Sequence, residues 1–266
     1  MYSALAGAWG RQHWWPARSR FEVIVGAFLT QNTSWTNVDL AMQQLHSARL
    51  LNLAGIRAAP LRRLEQLIRS SGYFRQKARR LKNFVRFLDK TYGRSLTKMF
   101  AQPTIVLREQ LLSLNGVGPE TADSILLYAG QHPSFVVDAY TKRIAERHGV
   151  IAANTGYEEI RALFEGGLAE AELLQESKTG NPGGASHSPS RMSMVSRSPV
   201  AQVFNEMHAL LVGVGKKYCL KPAPKCAECP LNHLWSSDGQ KQATSSSPAS
   251  PQVAVAAHKN IITSKQ

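Results

Sequence analysis

The sequence predicts an all-α fold, and three observations carry that prediction. Apolar residues recur at helical spacing through most of the chain, clear strand-type alternation is absent, and Pro and Gly fall where helices would start and stop. Of the 266 residues, 43% are hydrophobic, enough to bury a sizeable core and too many for wholesale disorder. The length suits one or two domains.

The elements follow in order along the chain. Phe21 to Leu29 is an apolar run, and Val38 to Leu45 carries apolar residues at helical spacing. Leu61 to Ser70 follows Pro60 and is closed by Gly72. In the next stretch Leu81, Phe84, Val85 and Leu88 form one helix face, and Arg75, Lys77, Arg79, Arg80, Lys82 and Arg86 cover the rest. Thr104 to Leu112 follows Pro103, and helical spacing resumes at Val203, Met207, Leu210 and Leu211. Residues 174–200, rich in Ser, Pro and Gly, read as a disordered insertion, and residues 236–266 read as a disordered tail.

Charge narrows the partners. Thirty-two Lys and Arg against 18 Asp and Glu leave a net charge of +14, which favours an anionic partner, nucleic acid first. From Arg57 to Lys98, 13 basic residues stand against Glu65 and Asp89 alone, a net of +11. Solvated helix faces usually mix both signs, so this helix is a candidate phosphate-binding surface. No stretch approaches the roughly 20 apolar residues of a membrane span, and Met1 to Gly10 lacks the basic start of a secretory signal.

The sharpest local motif is Leu111-Leu-Ser-Leu-Asn-Gly-Val-Gly-Pro-Glu120. A helix ends near Ser113, Gly116 and Gly118 allow a tight turn at positive φ, and Pro119 opens the next helix. The product is two helices joined by a hairpin whose free N–H groups can bind a phosphate; by itself the motif is more often structural punctuation. Twenty residues on, Asp138 follows the apolar run Phe135-Val-Val and precedes a helix. That is an N-cap position, and the same geometry suits a general base or a cation-stabilising carboxylate. The three Cys lie within eleven residues, as Cys219-x6-Cys226-x2-Cys229. This is no disulfide framework, and it reads as a metal or cluster site in a reducing compartment.

Together, the hairpin with its following Val137-Asp138, the Leu29-Thr-Gln-Asn-Thr33 and Gly72-Tyr-Phe-Arg-Gln-Lys-Ala78 segments and the spaced Cys resemble the helix-hairpin-helix DNA glycosylases of the endonuclease III superfamily, from about Trp14 to Cys229. The resemblance implies a six-helix barrel with the hairpin over residues 21–134. A second helical domain would be built from residues 1–20 and 135–235. It implies a monomer that binds double-stranded DNA and flips a damaged nucleotide into the cleft, in the bacterial cytoplasm at the nucleoid. Gln31 would fill the gap, Asn115, Gly116, Val117 and Gly118 would hold the phosphate backbone beside Arg79, Arg80 and Lys82, and Asp138 would oppose the oxocarbenium-like transition state.

Members that also cut the backbone carry a Lys two residues after the second hairpin Gly, and that Lys forms a Schiff base with the sugar. Here the position is Glu120, and neither Lys142 nor Lys217 matches the motif, so the resemblance implies a monofunctional glycosylase. His13-Trp-Trp-Pro16 and Trp35 are similar to the bacterial 3-methyladenine glycosylase branch, in which aromatics matching Trp14, Trp15 and Trp35 line the base pocket. An N-alkylated purine is cationic, and a cation over an indole gains about 0.5–2 kcal/mol. Packing at a domain seam is the other reading of these tryptophans. A bifunctional lyase on oxidised pyrimidines and a non-catalytic DNA-binding module are the competing functions. In the family four Cys hold a [4Fe–4S] cluster. The fourth position here is Trp235, so His233 or an outside donor would complete the set, and zinc or an abandoned site are the alternatives. The loop after Tyr218 would then form a basic finger that brings Lys216, Lys217, Lys221 and Lys225 towards phosphates.

Overall fold

The computed structural model describes residues 1–172 and 188–234, all of them helix, turn or loop. Among the described residues there are twelve α-helices: α1 (Tyr2–Trp9), α2 (Arg20–Leu29), α3 (Trp35–Ser47), α4 (Leu53–Ala58), α5 (Leu61–Leu67), α6 (Phe74–Tyr92), α7 (Leu96–Phe100), α8 (Thr104–Leu112), α9 (Pro119–Ser124), α10 (Ala139–Arg147), α11 (Tyr157–Glu172) and α12 (Pro199–Lys217). A π-helical turn, Ile125–Gly130, prolongs α9. No helix among the described residues is long and apolar enough to cross a membrane.

Several helix starts have a local chemical cause. Ser19 caps α2 by accepting from the Glu22 N–H, and the Glu22 carboxylate in turn accepts from the Arg18 N–H at 2.6 Å. Asn52, Ser95 and Ser198 cap α4, α7 and α12 in the same way. Helix α2 is central: eight of its residues, Phe21 and Val23 to Leu29, are buried, and it packs against α3, α6, α9 and the π turn. Helices α1, α10 and α11 pack on α12, and α12 meets the π turn.

Helix α6 bears out its sequence pattern, with Leu81, Phe84, Val85 and Leu88 buried. It departs at Lys77, which the sequence places on the basic face. Lys77 is 1% exposed, and its Nζ donates to the carbonyls of Leu29 (2.9 Å) and Ser71 (2.5 Å). Burial and then the Arg80 charge push its pKa down to about 8. It ties α6 to the end of α2 and is not available to a ligand.

The second departure concerns the expected insertion at 174–200. Residues 188–200 are placed and packed: the Met192 N–H donates to Ala17 (3.0 Å), the Ser190 hydroxyl to Trp15 (3.1 Å), and Met192 is buried. Serine-rich composition suggests disorder, but here the hydroxyls close the turn themselves. Ser190 N–H donates to Ser193 Oγ at 2.8 Å, and Arg197 clamps the Met192 and Val195 carbonyls. Residues 173–187 and the tail from 235 lie outside the described residues.

Candidate active site

The hairpin joins α8 to α9, and its glycines differ. Gly116 has φ 82°, and the Arg80 side chain occupies the place where a Cβ would stand, so both backbone and packing require glycine. Gly118 does not share the positive φ expected of it. It lies at φ −92° with open space in front of it, because the turn is already made at Gly116 and Gly118 only delivers the chain to α9. Val117 turns inward and Asn115 is exposed. Gln31 is bound to this hairpin: its amide donates to the Gly116 carbonyl and the Thr121 hydroxyl, each at 2.9 Å, and accepts from Arg80 at 2.5 Å.

Asp138 caps α10, accepting from the Thr141 N–H at 2.7 Å, and its side chain is only 14% exposed. Its Oδ2 lies 3.6 Å from Nε2 of His208, a buried residue of α12. The other ring nitrogen, Nδ1, is 2.5 Å from the hydroxyl of Tyr128, itself fully buried in the π turn. Glu120, on α9, is the second carboxylate here. It keeps water contact while protein crowds it on its other sides, and burial, then the Asp138 charge, push its pKa up to about 7. Above about pH 7 a second negative charge stands beside any bound phosphate, so DNA affinity should fall as pH rises through that value. Binding titrations on either side of that pH check this, and Glu120→Gln should flatten the dependence.

The three tryptophans come together. Trp15 lies 5.4 Å from Trp14 and 5.2 Å from Trp35 between ring centroids, and 5.1 Å from Tyr128. Trp15 also rests on α2 at Gly26, where a Cβ would stand 3.1 Å from its ring. Trp14 and Trp15 are buried and Trp35 half-buried, and the three form one aromatic cluster that Tyr128 joins to His208 and Asp138. The Nζ of Lys216 lies 6.0 Å from the Trp14 ring centroid, within electrostatic reach of Asp138.

The family described as HhH-GPD superfamily base excision DNA repair protein matches residues 25–170. A Methanocaldococcus jannaschii protein assigned as a DNA repair glycosylase is 42% identical over 237 residues, 88% of this chain and 93% of that protein. The chain belongs to the helix-hairpin-helix base excision DNA repair superfamily. Endonuclease III of Thermotoga maritima is 28% identical over 214 residues, 80% of this chain and 81% of that protein. Among solved structures, the H. pylori 3-methyladenine DNA glycosylase MagIII bound to 1,N6-ethenoadenine superposes with TM-score 0.65 at 28% identity, covering 82% of this chain and 93% of that one. As a member of this superfamily the protein is a DNA glycosylase of base excision repair.

In this glycosylase the basic residues of α6 divide. Arg80 leans into the hairpin, whereas Arg79 and Lys82 line a separate open concavity of about 700 Å³ with Arg57, Arg86 and Asp89. Adjacent residues on a helix point about 100° apart, so Arg79 and Arg80 cannot share a face. Arg57 is held by Asp89 (2.6 and 2.7 Å), and Lys82 donates to the Arg57 carbonyl, which leaves Arg79 and Arg86 as the exposed cations of this concavity. If this face meets DNA, replacing both with Gln should lower the log–log salt slope of binding by about 0.9 for each phosphate no longer neutralised. Binding isotherms between about 50 and 200 mM salt check it, and an unchanged slope would return the face to plain solvation.

The cysteine loop is built against α10. Arg147 donates to Cys219 Sγ (3.3 Å) and to the Leu220 and Lys221 carbonyls, and Arg143 to the Cys219 and Gly215 carbonyls. Cys219, Cys226 and Cys229 line one small pocket with His148. The sequence nominates His233 as the fourth donor. His233 is exposed and absent from that lining, while His148, brought in from the end of α10, is present. Among the described residues no three His, Cys, Asp or Glu side chains are grouped to hold a single metal ion, and Trp235 lies outside them. Burial pushes the Cys226 and Cys229 thiols up.

Tyr128, His208 and Lys216 belong to the site without any mark in the sequence. Tyr128 and His208 sit in apolar runs and read as core. Lys216 reads as part of a phosphate-facing finger with Lys217, Lys221 and Lys225, but it turns toward Trp14.

Proposed function

We propose that this glycosylase hydrolyses the N-glycosidic bond of a flipped alkylated purine, such as 3-methyladenine, and leaves the backbone uncut. The observation that carries the reading is the meeting of Trp14, Trp15 and Trp35 in one aromatic cluster, which Tyr128 and His208 join to Asp138. Indole faces attract a cationic base, which is already a good leaving group and needs no strong acid. The Asp138 carboxylate opposes the oxocarbenium charge as the bond breaks and can take a proton from the attacking water. The fold-level and sequence likeness to a 3-methyladenine DNA glycosylase supports the same base class. The test uses duplexes carrying single defined lesions, with and without alkali. Strand breaks only after alkali, on the alkylated purine, support the reading. Breaks without alkali, or release of oxidised pyrimidines alone, overturn it.

One observation favours a second reading, a glycosylase that also cuts the strand: Lys216 places an amine beside Trp14 and Asp138, its pKa lowered by burial. Borohydride trapping on an abasic duplex decides, since only an imine gives a covalent product and Lys216→Gln should remove it.

We further propose that Cys219, Cys226 and Cys229 are three ligands of a [4Fe–4S] cluster, on the strength of their convergence on one pocket. Such a cluster would supply rigidity to the loop after Tyr218, and no step of base release passes through it. Protein purified without oxygen should contain iron and absorb in the visible, and Cys226→Ser should lose both. Anaerobic protein with neither, yet fully active, overturns the assignment.

A further inference from the structure

Two buried side chains, Tyr128 and His208, stand in line with the half-buried Asp138. The Tyr128 hydroxyl is 2.5 Å from His208 Nδ1, and His208 Nε2 is 3.6 Å from Asp138 Oδ2. His208 is buried, and Nε2 has no hydrogen-bond partner, which is rare for a buried nitrogen. The ring is fixed by its surroundings: Phe135 meets it edge-on at 6.4 Å and the Tyr128 ring lies at 5.8 Å. The Tyr128 hydroxyl is also contacted by Trp14 of the aromatic cluster, and its ring lies 5.1 Å from Trp15.

The proton positions follow. Burial, aided by the Asp138 charge, holds the Tyr128 phenol well above its usual pKa, so it keeps its proton and donates. Burial lowers the His208 pKa against the opposing pull of Asp138, so the ring is neutral and carries one proton. With Nδ1 accepting from Tyr128, that proton lies on Nε2 and points at Asp138. A separation of 3.6 Å is too long for a hydrogen bond, and a closing movement of about 0.6 Å makes one; site geometry often tightens in this way when substrate binds.

We propose that Tyr128 and His208 are positioning residues for Asp138: the phenol fixes the imidazole tautomer, and the imidazole N–H holds Oδ2, which sets the plane of the carboxylate and the direction of its remaining lone pairs. The oxygen Oδ1 is meanwhile held by the Thr141 N–H, so the carboxylate is gripped from two sides. The relay also links the aromatic cluster to the carboxylate, because Tyr128 belongs to both. The proposal rests on the reading of Asp138 as the charge that opposes the sugar cation, and its test separates the two.

The first measurement needs no activity. Imidazole nitrogen shifts in 15N-histidine-labelled protein should show His208 as the neutral Nε2–H tautomer, and Tyr128→Phe should mix the tautomers. An Nδ1–H tautomer or a doubly protonated ring in the unsubstituted protein overturns the relay, even if no lesion is ever processed. The second measurement is single-turnover release of 3-methyladenine from methylated DNA. Tyr128→Phe, which removes one oxygen, should slow release about ten-fold with DNA affinity unchanged, on the scale of one hydrogen bond. His208→Leu should slow it at least as much, and His208→Gln, which keeps a neutral N–H donor, should recover most of the loss. Made in the Asp138→Asn background, neither change should lower the residual rate further. Equal losses in both backgrounds would mark a role in packing alone and overturn the proposal, as would an unchanged rate in Tyr128→Phe.

Discussion

Asp138→Asn should reduce base release at least about 100-fold while DNA binding survives. The amide is isosteric, and its oxygen can still accept from the Thr141 N–H, so the cap of α10 is kept. What disappears is the negative charge opposing an oxocarbenium-like transition state, and electrostatic contributions of that kind are worth about 10²–10³ in rate. Glu120 is a poor substitute, because burial still holds its pKa above the usual carboxylate range once the Asp138 charge is gone. Single-turnover release on a lesion duplex, set beside binding to an abasic-site duplex, reads the two effects apart. Release within a few-fold of the unsubstituted protein would sink the assignment.

The second large effect is on stability, at Asp123. This carboxylate of α9 has no exposed side-chain surface and accepts four hydrogen bonds: from Arg108 Nε (2.8 Å) and Nη2 (3.1 Å), from Ser134 Oγ (2.6 Å) and from the Tyr157 hydroxyl (2.8 Å). It joins α8, the start of α11 and the segment that runs from the π turn to Asp138. Asp123→Ala leaves Arg108, whose side chain is 14% exposed, with only the outlying Glu158. Removing one partner of a buried pair costs about 3–5 kcal/mol, since the surviving charge stays desolvated. Denaturant titration should show a loss of that size at unchanged slope, and a loss below about 1 kcal/mol would mean that the site relaxes to admit water. Any remaining folded Asp123→Ala should release base slowly, because Ser134 and Tyr157 would no longer fix the chain leading to Asp138.

Much of this is legible in the chain. The buried stripe of α6 reads directly, because Leu81, Phe84, Val85 and Leu88 repeat at the helical period and the remainder of the helix is charged. Asp138 reads as a cap because its hydrogen bond closes over three residues. The hairpin reads from Gly116 and Gly118 followed by Pro119, although only Gly116 has the positive φ. Other parts are legible in principle and easily misread. The phase of α6 alone separates Arg79 from Arg80, and the serines of 190–193 carry their own turn chemistry.

The sequence by itself determined the all-α class, the starts of α2, α5, α8, α9 and α10, the hairpin and the capping carboxylate, because each depends on interactions within about four residues. The tertiary structure alone decided which side chains meet. It paired Tyr128 with His208 across 80 residues, buried Lys77 under two carbonyls and drew Lys216 to Trp14. It also put His148 rather than His233 beside the cysteines. Nothing in the local chain marks these residues, since burial, hydrogen-bond partners and shifted protonation are properties of the packed interior. They exist only once distant segments have excluded water from the space between them.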